Sequence, residues 1–389
     1  IKMLMLYNNM LDKYNKEVEQ EIIEFSELGS KIDLPIKNYS SGMLSRIAFS
    51  ISIFQHPQIL LLDEIFAAGD SYFIKKSLNL KNKKTVVSKN KGVSHACGHD
   101  SHMATLLTTA KILTDFKDEL SGKIYFIFEE GEETGGGIDA MVEHLKDKDL
   151  DACYGNHQSP FLEVGQIKVL KGPSHAGCAG VEFDVIGKGG HGSRPDKCIN
   201  PLTATANIVT ALTTAWVNQL DVSKTVTFGL GSINGGSASN VIPDRCNVKG
   251  TLRFFDDKAG EDALEVLKEV VNTTARAHKC YVQFSDYTRI VAYPTINDPD
   301  LAEKVITSLN DIYPTSFLDG NPTYGSESFF GYSKLCPSVY TKFGVRDEKN
   351  GISAGSHTPE FDINPEGIKY AVGLQVKFAL DFLKGAFDD

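Results

Sequence analysis

The sequence predicts a mixed α/β fold in which a smaller α+β domain is inserted into a larger one. Two patterns support this prediction. Segments typical of helices and of strands alternate over residues 87–176 and again over residues 288–389, as expected of an α/β domain. Between them, residues 177–287 follow the order βαββαβ, which is the order of a ferredoxin-like domain. An inserted domain explains the return to the first pattern most simply.

The individual elements follow from hydrophobic periodicity and from the turn residues that bound them. Longer amphipathic segments predict helices, and shorter apolar or alternating segments predict strands. The predicted helices are residues 103–113, 138–145, 201–216, 261–277 and 366–383. The predicted strands are residues 123–128, 151–155, 181–186, 225–233, 245–255 and 280–285.

Composition excludes several classes of protein. The net charge of −10 argues against a nucleic-acid partner, because such partners are bound by basic surfaces. No segment approaches the roughly 18 consecutive apolar residues of a membrane span, so none is predicted. Seven cysteines, an odd number scattered over a long chain, do not form the pattern of a disulfide framework. They favour a reducing compartment, and we expect a cytoplasmic protein.

Residues 1–86 have a pattern of their own. Ser40 or Ser41 is a natural cap for a helix that runs to about residue 52, and the apolar run at residues 59–64 predicts a buried strand. A stretch rich in lysine and asparagine follows at residues 75–91, with the composition of a linker. We therefore place a domain boundary near residue 86.

Four residues of this first segment resemble motifs of a known protein family. Ser41 and Gly42 stand where ATP-binding-cassette ATPases, especially those of polysaccharide exporters, have their signature loop, and Asp63 and Glu64 stand where those ATPases end the Walker B strand. The resemblance implies a chimeric chain that begins with a partial P-loop-NTPase-like α/β fragment and a vestigial association with a membrane transporter. No Gly-x-x-x-x-Gly-Lys-Ser/Thr motif occurs in the sequence, so nothing would cradle the phosphates of ATP. An inert remnant is the favoured interpretation.

Residues 95–100, His-Ala-Cys-Gly-His-Asp, contain the first potential metal ligands. Cys97 and His99 offer a thiolate and an imidazole to one site, although such a pair is weak by itself, since most cysteines simply pack. Residues 129–133 add four carboxylates just after a predicted strand, where open α/β sheets usually bind ligands. Taken alone, an acidic loop of this kind is more often a solvated surface loop.

Two histidines complete the pattern further along the chain. His157 directly follows a predicted strand, and His357 lies in a loop near the C-terminus. Either residue alone is more often a packed or surface histidine. Together, one cysteine, three histidines and a carboxylate form a ligand set for two metal ions, and this mixture of donors suits zinc, or manganese and similar ions.

Residues 87–389 as a whole resemble the N-acyl-amino-acid amidohydrolases, which include hippurate hydrolases, indole-acetyl-amino-acid hydrolases and N-acetyl-diaminopimelate deacetylases. These enzymes are dinuclear metallopeptidases related to carboxypeptidase G and aminoacylase. Besides the ligand motifs, the likeness rests on residues 88–100, 187–193, 240–244 and 325–329. The N-terminal segment of the family has no recognisable counterpart before Ser88.

The resemblance implies a domain organisation and a set of roles. Residues 87–176 and 288–389 would form a zinc-peptidase-like catalytic domain, and residues 177–287 a lid that also mediates dimerisation. Glu132 would be the general base. Five side chains would hold two divalent ions, zinc or manganese, with cobalt or nickel as further options: Cys97, His99, Glu133, His157 and His357.

The lid residues have implied roles too. His191 would supply a donor to the oxyanion, and because relatives often take this histidine from the neighbouring subunit, a homodimer is expected. Asn240 and Arg253 would hold the oxyanion or the carboxylate of the substrate. A turn asparagine and a strand-surface arginine are the alternative interpretations of these two residues.

These inferences predict a metal-dependent hydrolase whose small-molecule substrate is an N-acyl amino acid. A metal-activated water would attack the amide, and Glu132 would accept its proton and pass it to the leaving amine. Two alternatives come from other classes. One is a remnant of the ATP-binding subunit of a polysaccharide exporter, and the other is a catalytically impaired descendant that still binds metal.

Overall fold

The computed structural model describes residues 95–134, 137–358 and 360–387. The residues on which the ATPase resemblance rests, Ser41, Gly42, Asp63 and Glu64, lie outside this part of the chain. The described residues divide into two units with separate cores. The first unit takes its described residues from 95–169, 300–319 and 339–387, and the second comprises residues 170–299 and 320–338.

Helices and strands alternate along the described residues, so the fold is mixed α/β as the sequence predicts. The main helices are α1 (His99–Asp115), α2 (Ile138–Leu145), α3 (Pro201–Gln219), α4 (Asp257–Ala277), α5 (Pro299–Ile312) and α6 (Glu366–Leu383). The strands are β1 (Cys153–Glu163), β2 (Ile167–Lys168), β3 (Gly172–His175), β4 (Gly177–Ile186), β5 (Gly190–His191), β6 (Val226–Gly235), β7 (Val241–Ile242), β8 (Arg245–Phe254), β9 (Tyr281–Phe284), β10 (Ile290–Ala292), β11 (Thr295–Asn297), β12 (Phe317–Leu318) and β13 (Ser338–Arg346).

The first unit is built around a four-stranded sheet with the order β1-β13-β2-β12. Two glycines allow unusually close packing at its centre. A Cβ on Gly344 in β13 would lie 1.9 Å from the carbonyl oxygen of Glu163 in β1. A Cβ on Gly367, in the first turn of α6, would lie 2.3 Å from the carbonyl oxygen of Gly344. The strand that carries His157 is therefore held closely against the centre of this unit.

Helix α1 packs against α6 through an apolar interface and one buried hydrogen bond. Ala110 and Leu113 of α1 are almost fully buried and contact a group from α6 that includes Leu380. Within the same interface, the hydroxyl of Thr109 donates to Oε1 of Gln375 at 2.7 Å. This packing fixes the helix that begins at His99.

The predicted strand at residues 123–128 is wrong. In the described residues this segment contains an isolated bridge at Phe126 and no ladder, although Phe126 and Phe128 are buried beside α1. An apolar run specifies burial, but a strand also needs a neighbour that satisfies its backbone groups. No such neighbour is found among the described residues.

The second unit contains a five-stranded antiparallel sheet. Its strands follow the order β10-β4-β8-β6, and β9 pairs with β4. The pairing of β4 with β8 runs without interruption from Gly177 opposite Phe254 to Ile186 opposite Arg245. Elements β4, α3, β6, β8, α4 and β9 thus occur in the order βαββαβ within residues 177–287.

Helices α3 and α4 cover the apolar side of this sheet because their small and aliphatic residues recur every four positions. In α4, this stripe is Ala263, Leu267, Val271 and Ala275, all fully buried. Each helix has a side-chain cap. The caps are Asn200 before α3 and Asp256 before α4, which accept from backbone N–H groups of the first turn.

The structure also bears on the disulfides and the membrane spans that the composition argues against. The seven cysteines all lie among the described residues, and none of them forms a disulfide there. Among the described residues, no helix combines the length and the apolar composition that a membrane crossing requires.

Candidate metal centre

Six potential ligands converge in the first unit. The side-chain donor atoms form three overlapping groups, and within each group they lie no more than 4.8 Å apart. The groups are Cys97 with His99 and His157, Cys97 with Glu133 and His357, and His99 with Glu132 and Glu133. The structure therefore brings together the five predicted ligands and the predicted general base, which come from segments far apart in sequence.

The first two donors are placed by the start of α1. Gly98 precedes this helix with a φ of +80°, a backbone conformation that favours glycine, and its carbonyl oxygen accepts from both N–H and Oγ of Ser101. His99 is the first residue of the helix. The turn at Gly98 thus places Cys97 just before the helix and His99 on its first turn.

The two carboxylates lie in a short 3-10 turn, Glu132–Thr134. Gly131, with a φ of +67°, begins the turn, and a Cβ on Gly137 would lie 1.9 Å from the carbonyl oxygen of Glu130. The acidic segment is thus folded back on itself. Oε1 of Glu133 lies 3.3 Å from Nε2 of His357 and 3.8 Å from Nε2 of His99.

Strand β1 and a C-terminal loop provide the remaining imidazoles. His157 extends from β1, with Nε2 at 3.4 Å from Sγ of Cys97. His357 has a φ of +64°, which is unusual for a residue other than glycine and costs about 1–3 kcal/mol. Its backbone N–H donates to the carbonyl oxygen of Ala96 at 2.6 Å. This bond joins the two loops that carry Cys97 and His357.

Burial sets the protonation of two histidines. It lowers the pKa of His157 to about 3, because the charged ring would lose its hydration. Burial, together with the neighbouring histidines His157, His99 and His95, lowers the pKa of His102 well below its usual value. Both rings are therefore neutral at pH 7, and a neutral imidazole is the form that binds a metal ion.

The carboxyl group of Glu133 is shifted in the direction that favours its charged form. Burial alone would raise its pKa, but the hydrogen bond and charge of His357, and the charge of His99, outweigh this effect and lower it. Glu133 is consequently a carboxylate at neutral pH, which is the form required of a metal ligand.

The three lid residues named from the sequence lie in the second unit. His191 is exposed in β5, and its Nδ1 lies 2.8 Å from Oγ of Ser193. The carbonyl oxygen of Asn240 accepts from the backbone N–H of Gly192 at 2.7 Å, which joins the two predicted lid motifs. Arg253 of β8 donates to Oγ of Ser326 at 3.2 Å.

Neither Gln158 nor His102 is among the site residues predicted from the sequence. The backbone N–H of Gln158 donates to Nε2 of His102 at 2.9 Å, and the ring centroids of His102 and His157 lie 4.4 Å apart. The position of His102, three residues after His99 on one helix, was a usable signal. Gln158 offered none, since an amide next to a histidine is not a ligand pattern.

Comparisons with known proteins identify the family of this chain. Residues 79–381 match the model of a protein family that is described as "Peptidase family M20/M25/M40". The IAA-amino acid hydrolase ILR1-like 2 of Arabidopsis thaliana is 33% identical over 301 residues, which cover 76% of this chain and 68% of that protein. The N-acetylcysteine deacetylase of Bacillus subtilis (strain 168) is 26% identical over 363 residues, which cover 92% of this chain and 87% of that protein.

A solved structure is similar as well. A dinuclear metal binding peptidase of the M20 family from Bacillus subtilis superimposes with a TM-score of 0.66 at 24% sequence identity, over 78% of this chain and 77% of that chain. The mixed α/β fold and the cluster of potential metal ligands define the class, a metallopeptidase-like hydrolase. The chain belongs to peptidase family M20/M25/M40.

The family match confirms the predicted hydrolase class, but the resemblance of residues 1–80 to a transporter ATPase finds no support. The match to the peptidase family already begins at residue 79. The alignment with the N-acetylcysteine deacetylase covers 92% of the chain, and the remaining 8% is too short to contain residues 1–80. The transporter alternative is therefore not carried further.

The lowered pKa values of His157 and His102 predict a pH-dependent stability of the metal-free protein. Because the folded-state pKa values of His157 and His102 are lowered, the unfolded chain takes up protons below about pH 6.5 while the folded chain does not. The free energy of unfolding should therefore fall by about 1 kcal/mol per histidine between pH 7 and pH 5.5. Denaturant titration in the presence of a chelator measures this loss.

The variant His157→Gln should lose about half of this pH dependence. His144→Gln, which replaces an exposed histidine of α2, should retain all of it. Equal pH dependence in His157→Gln and the native protein would show that the imidazole of His157 does not cause it.

Proposed function

We propose that this protein hydrolyses the amide bond of N-acyl amino acids with the help of two divalent metal ions. The observation that carries the proposal is the convergence of Glu132 with the five predicted ligands in one cluster. The names of two relatives, an IAA-amino acid hydrolase and an N-acetylcysteine deacetylase, support the class of substrate.

The donor set fits two metal ions. Cys97 belongs to two of the three groups, and so do His99 and Glu133, so the groups adjoin and share ligands. Sulfur, nitrogen and carboxylate donors in this mixture suit zinc or manganese, and cobalt or nickel are compatible with it. The neutral state of His157 and the ionised state of Glu133 leave their lone pairs available.

Divalent ions bound to these residues would lower the pKa of a water molecule to about 7 and polarise the amide carbonyl. Glu132 supplies the base. Its Oε2 lies 3.8 Å from Nε2 of His99, so the carboxylate borders the cluster. In this role Glu132 accepts the proton of the attacking water and delivers it to the leaving amine.

The second unit contributes residues that recognise the substrate. We assign to His191, with Asn240 beside it, the role of hydrogen-bond donor to the oxyanion. We assign to Arg253 the binding of the substrate carboxylate. Two other cations of β8 are neutralised, since Arg245 pairs with Asp184 and Lys249 pairs with Glu182.

Arg253, in contrast, donates to the neutral hydroxyl of Ser326. Among the described residues, Arg253 forms no ion pair with a carboxylate, which suits the recognition of an anionic group. In this scheme residues 177–287 would act as a ferredoxin-like lid, and residues 87–176 and 288–389 would form the catalytic domain.

The variant Glu132→Gln tests the assignment of Glu132 as the catalytic base. The amide cannot accept the proton, so kcat should fall by ~100-fold or more, while the content of bound metal stays unchanged. Hydrolysis of N-acetyl and N-benzoyl amino acids measures the first quantity, and elemental analysis measures the second. Glu130→Gln, in the exposed part of the same loop, is the matched control and should retain activity.

Full activity of Glu132→Gln would refute its assignment as the base. The native protein could also bind two ions per chain and hydrolyse none of these substrates. That result would select the catalytically impaired descendant over the enzyme.

The role of Arg253 predicts a selective change in KM. Arg253→Met removes a charge-assisted contact with the substrate carboxylate, so KM should rise about 10–100-fold with a smaller change in kcat. Lys249→Met, a cation of the same strand, should leave KM within about twofold of the native value. Steady-state kinetics with an N-acyl amino acid and with its amide provide the comparison. Equal loss on both substrates would contradict recognition of the carboxylate.

We also propose a homodimer formed through the second unit. Strand β6 is the last strand in its sheet order, and its Ile233 and Leu230 are 45% and 39% exposed. An apolar strand edge of this kind favours pairing with a second strand. Light scattering should give a mass of twice 42.6 kDa, and Ile233→Lys should reduce it to that of one chain.

Val222→Lys introduces the same charge at a residue that is 86% exposed and lies outside the strand, and it should leave the mass unchanged. A native protein with the mass of a single chain would refute the dimer.

A further inference from the structure

Gln158, which follows His157 in β1, is almost completely buried, with 1% of its surface exposed. Its side-chain Nε2 donates to the carbonyl oxygen of Cys97 at 2.8 Å and to Oγ of Ser356 at 3.1 Å. Cys97 is itself a donor of the cluster, and Ser356 directly precedes His357. One amide thus ties two ligand-bearing segments to the strand that carries a third.

The backbone of Gln158 orients two imidazoles. Its N–H donates to Nε2 of His102 at 2.9 Å, so this nitrogen carries no proton. Its carbonyl oxygen accepts from Nδ1 of His157, so the proton of that ring is on Nδ1. Nε2 of His157 consequently keeps its lone pair, and it is this atom that lies 3.4 Å from Sγ of Cys97.

The loop before α1 is shaped to fit this glutamine. Gly98 has a φ of +80°, and a Cβ at this position would lie 2.7 Å from Cγ and 3.2 Å from Cδ of Gln158. The backbone between Cys97 and His99 therefore rests directly on the glutamine side chain. Neither the loop nor the side chain can move toward the other, so each limits the position of its neighbour.

A comparison with Gln375 distinguishes a positioning role from a purely structural one. Gln375 is also buried, and its Oε1 accepts from Thr109 in the interface between α1 and α6. Oε1 of Gln158, in contrast, is buried with no hydrogen-bond partner among the described residues. An unpaired buried acceptor is destabilising, so stability alone does not explain this glutamine.

We propose that Gln158 is a positioning residue of the metal centre, which holds Cys97, His157 and the loop of His357 in place before a metal ion binds. The inference rests on the proposed function, because such positioning matters only if the cluster binds divalent ions. Neighbours of this kind orient metal ligands and contribute to affinity without contacting the ion.

The test is the metal affinity of Gln158→Met, which keeps the length of the side chain and removes its donor. Competition with a chromogenic chelator should show that zinc binds about 10–100-fold more weakly than to the native protein. In the protein loaded with cobalt(II), the absorption that arises from the Cys97 thiolate should shift or weaken. Ser356→Ala removes one of the two acceptors and should weaken binding less, in the same direction.

Gln375→Met is the matched control, because it removes a buried glutamine from the same unit and keeps the cluster intact. It should bind zinc within about twofold of the native protein, even if it unfolds more easily. Native affinity in Gln158→Met, or an equal loss in Gln375→Met, would overturn the positioning role. If Gln158→Met does not fold, native affinity in Ser356→Ala overturns it.

Metal binding by the native protein distinguishes a failure of the proposed function from a failure of the positioning role. If the native protein binds no zinc, cobalt or manganese, the proposed function fails, and the positioning role fails with it. If the native protein and Gln158→Met bind metal equally, only the positioning role fails.

Discussion

Crowding of electron-pair donors is the constraint on which the first unit depends. A thiol, three imidazoles and two carboxylates are held in groups that span no more than 4.8 Å. Lone pairs and negative charges at such distances repel one another, and partial exclusion of water strengthens the repulsion. The structure offsets part of it by placing His357 against the carboxylate of Glu133. Bound cations would offset the rest, which is why the cluster is best understood as a ligand set.

The donors can be crowded because their backbones are fixed independently of their side chains. The close approach of β13 to β1 at Gly344 and the packing of α1 on α6 hold two of the ligand-bearing elements. The bond from His357 to Ala96 joins the two loops and helps to maintain a left-handed φ at His357. Strain of this kind persists where several contacts determine one conformation, and it is concentrated at functional sites.

Proton binding and metal binding compete for the same lone pairs, so the lowered pKa values matter to affinity. His157, with a pKa of about 3, has no proton to lose when a cation binds at neutral pH. The same burial makes an empty site sensitive to acid, since protonation would place a charge in a poorly hydrated environment. The surroundings that prepare the site for a metal thus reduce the stability of the metal-free protein at low pH.

Much of this arrangement could be predicted from the sequence, because local patterns determine it. Helices α2 and α6 have the predicted bounds, and the order βαββαβ was visible in the alternation of apolar runs. The strand at residues 123–128 failed because pairing depends on a neighbour that local pattern does not reveal. Gln158 could not be found either, since its importance arises from partners about 60 and 200 residues away.

The charges of β8 illustrate how structure separates residues that look alike in sequence. Arg245, Lys249 and Arg253 occur at even spacing, so an alternating strand directs all three to one side of the sheet. Two of them face carboxylates on the adjacent strand β4, and cross-strand pairs of this kind stabilise a sheet. At the position of Arg253 the residue opposite is Cys178, which is uncharged. The third cation therefore adds no such pair to the sheet, and recognition of an anionic substrate gives a physical reason for an arginine there.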